Sequence, residues 1–277
     1  LALTRAVNYG IWKQRDPGVE ARLEEEAEVR IREVVEGALK RLGEDGGWLE
    51  PYEVEGILEA AGLRYPRSRV VASEEDAVAA AAEFGGPVAV KVISPSALHK
   101  SDVGGVLLDV QGADQVAEAF RKVTSAVPDP SGALIQEFVS GGHEVLIGMT
   151  QDPNFGPLVA FGLGGVYVEL LKDVAFRIHP LTDVDAREMI RETKGHRLLE
   201  GYRNQPLGDV DSLETALLRV SGVITAIPEL QEMDLNPVKV LPPGEGVVVV
   251  DARMRVEPLK AGGNRDLPAV ASRIRSA

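Results

Sequence analysis

The feature that most constrains the fold is the irregular order of strand-like and helix-like segments. Short apolar runs typical of strands recur along the chain, one of them at Pro87–Ile93. Some follow one another across a glycine turn, as at 133–139 and 143–150, whereas helical patterns such as 74–84 and 211–226 separate others. A doubly wound parallel sheet requires a regular βαβ alternation. Without that period, the sequence predicts an α+β fold of two subdomains.

Composition and glycine positions indicate how the chain is divided. A strong helical pattern spans 20–42, with acidic residues crowding its start and Arg41 near its end, as the helix dipole favours. Gly46 and Gly47 mark the boundary that follows. The chain opens in the middle of a pattern and without Met, so we expect a piece of a longer protein. The predicted divisions are a helical connector at 1–45, a main domain at 46–258 with a smaller subdomain at about 64–138, and a tail at 259–277.

Overall composition excludes several functional classes. Of the 277 residues, 44% are hydrophobic and 26% charged, as in soluble globular proteins. The chain has no cysteine, which excludes disulfides and thiolate metal sites and predicts a reducing, cytoplasmic setting. A net charge of −13 argues against nucleic-acid and membrane partners. It leaves nucleotide binding open, because local lysines, backbone amides and a divalent cation can hold a phosphate chain.

Lys91 is the first residue with chemical potential. It lies inside the apolar run 87–93, where a buried ammonium is costly unless an anion pairs with it. The alternative is a lysine at a strand edge whose ammonium reaches water.

A glycine-rich loop, Ser94–Val106, follows this strand and contains His99, Lys100 and Ser101. Such a loop presents backbone amides and cations to phosphate groups, although it lacks the spacing of a P-loop. Imidazole can accept and pass on a phosphoryl group at a ring nitrogen. A lone histidine is nevertheless more often structural or solvated, and both interpretations stay open on this pattern alone.

Two further pairs of polar residues stand beside turns. Glu137 and Glu144 flank a glycine turn, where one carboxylate can approach a base and the other a ribose; solvated turn residues are the alternative. Asn236 and Asp251 lie on two strands joined by a turn. Their hard oxygen atoms suit magnesium held jointly by protein and phosphates, although a plain polar pair is equally compatible with the pattern.

Five segments together resemble a known family. They are His99–Val106, Phe155–Pro157, Phe161–Gly165, Asp173–Arg177 and Asp234–Pro237. They resemble the β subunit of ADP-forming acetyl-CoA synthetases, which has an ATP-grasp fold, and more distantly succinyl-CoA synthetase. The resemblance covers about residues 47 to 257. One departure is Gly201–Asn204, where the family pattern ends in glycine.

The resemblance implies a role for each candidate residue. The implied nucleotide ligands are Lys91 at the phosphates, Lys100 and Ser101 in the covering loop, Glu137 with the backbone of Phe138 and Val139 at the adenine, and Glu144 at the ribose. The implied magnesium ligands are Asn236 and Asp251. His99 matches the second phosphohistidine of the family, which delivers the phosphoryl group to ADP. The other histidines, His143, His179 and His196, are interpreted as structural or solvated.

The resemblance also implies a reaction and a partner. The family converts acyl-CoA, ADP and phosphate into acid, CoA and ATP, so ADP or ATP and Mg²⁺ are the expected cofactors. The expected partner is a CoA-binding α subunit or upstream fused domain that carries the first phosphohistidine. Two other functions remain open: a regulatory, ligand-sensing module of a fused protein acetyltransferase, and an ATP-grasp carboxylate–amine ligase, which needs no His99.

Overall fold

Capped helices and antiparallel strands make up the chain, whose computed structural model describes residues 10, 14, 16–94, 103–164 and 173–259. The helices are α1 (Glu25–Leu42), α2 (Pro51–Ala60), α3 (Glu74–Phe84), α4 (Ala113–Ser125), α5 (Asp183–Glu192), α6 (His196–Leu199) and α7 (Val210–Ala226), with a 3₁₀ turn at Tyr202–Asn204. The strands are β1 (Gly47–Trp48), β2 (Ser68–Val71), β3 (Val88–Ile93), β4 (Val106–Val110), β5 (Gly132–Glu137), β6 (His143–Asp152), β7 (Gly156–Leu163), β8 (Val174–Ile178), β9 (Leu230–Val240), β10 (Val247–Val249) and β11 (Ala252–Val256).

Local signals set the ends of the helices. The Ser73 hydroxyl accepts a hydrogen bond from the Asp76 backbone N–H at the start of α3, as its sequence predicts. Gly85 ends the same helix in the left-handed conformation, with φ of 75°. At α5 a reciprocal capping box joins Thr182 and Asp185, a signal that the sequence analysis missed.

The smaller of two compact units comprises residues 66–140. Its four strands are all antiparallel and lie in the order β2-β5-β3-β4. Val90 and Val92 of β3 and Ile135 of β5 point into one apolar core with residues of α3 and α4. Each fully buried side chain of this size contributes about 1.5–3 kcal/mol. The core therefore fixes which face of this sheet the remaining side chains of β3 and β5 occupy.

The larger unit contains the described residues up to 65 and those from 141 to 259. Its strands pair antiparallel in the order β1-β11-β9-β6-β7-β8, and β10 pairs with β9. A second core lies on one face of this sheet and includes residues of α1, α2, α5 and α7. Ile31, Val35 and Ala38 of α1 are buried in it, so the helix assigned to a connector packs against the larger unit.

The fold combines helices with two antiparallel sheets, which confirms the predicted α+β class. The exact domain limits stay a prediction. One detail differs from expectation: Asp251 does not lie on a strand but between β10, which ends at Val249, and β11. The strands β5 and β6, on either side of the glycine turn, belong to different sheets. The apolar run at 166–170, whose pattern predicts a further strand, lies outside the described residues. Among the described helices, none is both long enough and apolar enough to cross a membrane.

Candidate functional site

Lys91 is buried in the middle of the smaller sheet. Its strand, β3, pairs with β4 on one side and β5 on the other, so Lys91 does not lie at a sheet edge. The residue is only 4% exposed. Since Val90 and Val92 face the apolar core, alternation along the strand directs Lys91 to the opposite face. The structure therefore excludes the interpretation of a lysine that reaches water from a strand edge.

The loop after β3 contains the predicted relay and covering residues. His99, Lys100 and Ser101 lie outside the described residues. The flanks are described: the Ser94 hydroxyl donates to Asp129 over 2.6 Å, and the Val92 N–H donates to the Gly105 carbonyl over 2.8 Å. Both ends of the loop are thus anchored to the smaller unit.

Glu137 ends β5 and is held by Arg67, the residue that precedes β2. Its carboxylate accepts hydrogen bonds from the Arg67 guanidinium, at 2.5 Å, and from the Arg67 backbone N–H, at 3.1 Å. The backbone N–H groups of Glu137 and Phe138 donate to the carbonyls of Arg67 and Pro87. These contacts hold Glu137–Val139, which we call the hinge segment, against the smaller sheet. Reading of adenine by this segment stays a prediction.

Gln136, next to the hinge segment, is a polar residue that the sequence analysis missed. It is fully buried, and among the described residues its side-chain oxygen and nitrogen have no hydrogen-bond partner. One feature of the sequence could have pointed to Gln136, because it is a polar residue that follows the apolar run of β5.

Glu144, the predicted ribose ligand, lies at the start of β6 in the larger unit. It stands opposite Lys239 of β9, and their charged atoms are 3.9 Å apart. The Glu144 carbonyl accepts a hydrogen bond of 2.7 Å from the Gly164 N–H. The preceding Gly142 has φ of 74°, and a Cβ there would lie 3.0 Å from the Val240 carbonyl oxygen, so this turn requires glycine. The carboxylate remains about half exposed.

The larger sheet brings Asn236 and Asp251 together. The Asn236 N–H donates to the Asp251 carbonyl over 3.0 Å, next to the paired residues Leu235 and Ala252. Asn236 is exposed and Asp251 is half-buried. A carboxamide and a carboxylate offer the oxygen atoms that Mg²⁺ prefers. No group of three or more His, Cys, Asp or Glu residues within the described ranges forms a metal site. The pair therefore fits a metal that takes its other ligands from phosphates and water.

The described histidines have partners within the fold. The His143 Nε2 atom lies 2.7 Å from the Pro206 carbonyl oxygen, and the His196 Nδ1 atom lies 2.8 Å from that of Thr193. Buried His179 contacts two hydroxyl groups of α7. These contacts agree with the structural interpretation of all three residues.

A second polar region surrounds α6. The Asp173 carboxylate accepts hydrogen bonds of 2.9 Å from the backbone N–H groups of Lys194 and Gly195. A cavity of about 290 Å³ lies here, and Arg197 and Tyr202 are among the residues that line it. In the following turn, where the sequence departs from the family pattern, Arg203 adopts φ of 50° and stacks 5.3 Å from the Tyr202 ring.

Comparison with known proteins identifies the family of this fold. The sequence profile described as an ATP-grasp domain matches residues 40–256. The chain belongs to the ATP-grasp family. This ATP-grasp chain is 38% identical to the β subunit of acetate–CoA ligase (ADP-forming) I from Pyrococcus furiosus, with 81% of the chain and 97% of that subunit covered. The match therefore spans nearly the whole length of that subunit.

Two further relatives extend this picture of the ATP-grasp chain. It is 43% identical to acetate–CoA ligase (ADP-forming) I from Archaeoglobus fulgidus, over 84% of the chain but only 35% of that longer protein. It also matches a solved structure of dinucleotide-forming acetyl-coenzyme A synthetase 1 from Ca. Korarchaeum cryptofilum, in complex with coenzyme A and Mg-AMPPCP. The TM-score is 0.69 and the identity 38%, with 82% of this chain and 100% of that chain covered.

These matches confirm the resemblance seen in the sequence. The relatives are acid–thiol ligases, so the regulatory module of a protein acetyltransferase is not favoured. The ATP-grasp chain spans about a third of the fused relative and nearly all of the separate subunit. It thus corresponds to the β-type part of such ligases.

Proposed function

We propose that this chain is the nucleotide-binding and phosphoryl-transfer half of an ADP-forming acyl-CoA synthetase. It binds ADP or ATP with Mg²⁺ and acts with a CoA-binding partner that carries the first phosphohistidine. The overall reaction converts acyl-CoA, ADP and phosphate into acid, CoA and ATP. The observation that carries this proposal is the match to the P. furiosus β subunit along almost its whole length.

The smaller unit supplies the phosphate ligands. Lys91 is buried on the sheet face opposite the apolar core, where its attraction to an anion is stronger than in water. We assign it to the nucleotide phosphates, and Lys100 and Ser101 to the loop that covers them. The hinge segment, held by Arg67, borders the base.

The larger unit supplies the ribose and metal ligands. Glu144, half exposed beside Lys239, is assigned to the ribose hydroxyls. Asn236 and Asp251 would hold magnesium, and their joined backbones support that assignment. When bound, magnesium supplies positive charge that stabilises phosphoryl transfer.

His99 carries the phosphoryl group in two balanced steps. First, the nitrogen–phosphorus bond to the histidine of the partner breaks as a ring nitrogen of His99 bonds to phosphorus. Then that second bond breaks as an oxygen of the ADP β-phosphate takes the phosphoryl group and ATP forms. Support comes from the K. cryptofilum relative, whose phosphohistidine segment points towards the nucleotide-binding site.

A reconstitution assay tests this proposal. The chain is mixed with the CoA-binding half, acetyl-CoA, ADP, Mg²⁺ and radiolabelled phosphate, and labelled ATP is measured. We expect His99→Ala to abolish labelled ATP and to leave ADP affinity unchanged in calorimetry, because a relay nitrogen is needed for transfer and not for binding. His196→Gln, which alters a histidine of the larger unit outside the relay, serves as the matched control and keeps full activity. Undiminished ATP formation by His99→Ala would show that the relay assignment is wrong.

A further inference from the structure

Gln136 presents a fully buried polar side chain in the smaller sheet. The residue is 0% exposed, and within the described ranges neither Oε1 nor Nε2 has a hydrogen-bond partner. Buried amides are almost always paired, because leaving them unpaired costs the full desolvation of the group. A carboxamide without a partner among the described residues therefore points to a partner outside them, and we assign that partner to a ligand.

The position of Gln136 in the smaller sheet places it beside Lys91. On β5, Ala133 and Ile135 face the apolar core, so Gln136 faces the opposite side. Lys91 stands directly across from Leu134, two residues before Gln136 on the same strand. Such diagonal neighbours lie on one face, within reach of long side chains. The amide and the ammonium thus share the face assigned to the nucleotide.

The neighbouring carboxylate is in a different situation. Glu137 accepts two hydrogen bonds from Arg67, so its oxygen atoms are already used by the fold. Gln136, the adjacent residue of β5, differs because no partner of its carboxamide lies within the part of the chain that the structure describes.

We infer that the Gln136 carboxamide reads the base of the nucleotide, through the adenine edge formed by the exocyclic N6 amine and N7. Oε1 accepts from the amine while Nε2 donates to N7, a bidentate pairing that suits glutamine. Guanine presents two acceptors, O6 and N7, on the corresponding edge, so the amide oxygen would face an acceptor. Gln136 is therefore a determinant of specificity for adenine over guanine nucleotides. This inference rests on the proposed function and adds the base preference to it.

Full burial adds one condition. Because Gln136 is not exposed, the base reaches it only when the side chains that cover this face move aside. The arrangement also has a cost for the free protein, since an unpaired buried amide is destabilising until a ligand pairs with it.

The test pairs one substitution with one change in the nucleotide. ADP and 7-deaza-ADP, which lacks N7, are titrated in the presence of Mg²⁺ into the wild-type chain and into Gln136→Met, a side chain of similar length without polar groups. In the wild type we expect 7-deaza-ADP to bind about tenfold more weakly than ADP, the effect of one lost hydrogen bond. In Gln136→Met both nucleotides bind equally, at least tenfold more weakly than ADP binds to the wild type. The change in the ratio isolates the contact between Gln136 and N7.

Thermal unfolding of the nucleotide-free chain separates this role from a structural one. Replacing an unpaired buried amide by an apolar group removes a destabilising feature, so Gln136→Met should raise Tm by on the order of 2–4 °C. A glutamine that supports the fold would instead lower Tm when it is replaced. The matched control is Ile135→Val, the preceding residue on the core-facing side, which should lower Tm and preserve the tenfold ratio.

The outcomes distinguish this inference from the proposed function. A wild-type chain that binds ADP but shows the same affinity for 7-deaza-ADP overturns the role of Gln136 and leaves nucleotide binding intact. If Gln136→Met still binds ADP tenfold more tightly than 7-deaza-ADP, the role of Gln136 is likewise overturned and nucleotide binding is left intact. A wild-type chain that binds neither nucleotide overturns the proposed function and, with it, this inference.

Discussion

The two sheets hold their polar candidate residues in opposite environments. In the smaller unit, Lys91 and Gln136 are buried on the face opposite the apolar core. In the larger unit, Asn236 and Glu144 are exposed to solvent. Both sheets are antiparallel and both use one face for a core, so the contrast lies in the second face of each.

This difference predicts what substitution should cost. A buried polar group loses its hydration, so its presence must be offset by a partner or a ligand. An exposed group keeps its hydration and costs the free protein little. Substitutions of buried polar residues on the smaller sheet should therefore change both ligand binding and stability, whereas those at exposed positions of the larger sheet should change binding alone.

The largest effect is expected at Lys91. Lys91→Met should weaken ADP binding about 100-fold, because charge-assisted hydrogen bonds in a buried site contribute about 1.5–3 kcal/mol. Calorimetric titration measures this, with Lys122→Met as the control, since Lys122 is an exposed lysine of α4 in the same unit. Equal affinities of the two variants would contradict the assignment of Lys91 to the phosphates.

Asp209 tests whether the larger unit contains only exposed polar residues of this kind. It is a buried charged residue of that unit, and backbone groups of the protein supply its hydrogen bonds. Burial by itself raises the pKa of Asp209, but the backbone N–H groups of Ser212, Gly244 and Gly246 donate to the carboxylate and bring the pKa below its usual value. At pH 7, Asp209→Ala should lower the free energy of unfolding by about 2 kcal/mol.

The pH dependence of that loss follows from the lowered pKa. The contribution of Asp209 is complete above the ordinary aspartate value of about 3.9 and disappears as the pH falls through the lower folded value. Denaturant unfolding at pH 7 and near pH 2.5 should therefore show the variant and the wild type converging in acid. The control is Asp211→Ala, an exposed first-turn residue, which should change stability by less than about 0.5 kcal/mol. A difference that is the same at both pH values would contradict this account.

A smaller effect is expected at the exposed metal pair. Asn236→Ala should raise the Mg²⁺ concentration needed for ADP binding about tenfold, since one of two protein ligands is lost. The Tm should stay within about 1 °C, because Asn236 is exposed. Glu232→Ala, at another exposed position of β9, should change neither quantity. A large fall in Tm for Asn236→Ala would show that an exposed polar residue of the larger sheet also stabilises the free protein, which contradicts the comparison.

The smallest effect is expected at Glu137. Its carboxylate is held by Arg67, whose side chain is 59% exposed, and exposed ion pairs contribute only about 0–1 kcal/mol. Glu137→Gln should therefore change ADP affinity by less than about threefold and leave the preference for ADP over GDP unchanged. If Glu137→Gln removed that preference while Gln136→Met preserved it, the roles of these two neighbours would be reversed.

Much of the local structure could be predicted from the sequence. The helix predicted at 74–84 lies there, and the short apolar runs at 106–110 and 174–178, whose patterns are typical of strands, form β4 and β8. Caps and hydrophobic patterns are local signals. The apolar residues on both sides of Lys91 likewise predicted a buried strand, and Lys91 lies on β3.

Contacts between residues distant in the chain could not be predicted from such local patterns. The two-residue strand β1 gave no periodic signal, and it exists because β11, more than 200 residues later, pairs with it. Likewise, Arg67 and Glu137 meet only because β2 and β5 are neighbours in one sheet. Strand pairing joins segments without regard to their separation in sequence, so periodicity alone could not predict these contacts.

The sequence by itself determined the family, the order of the elements and the residue types available for chemistry. Only the tertiary structure decided which of two adjacent polar residues on β5 the fold already uses. Glu137 is paired with Arg67, and Gln136 is buried without a partner among the described residues. Side-chain type can be read from a sequence, but desolvation and hydrogen-bond pairing depend on neighbours that the folded chain brings together.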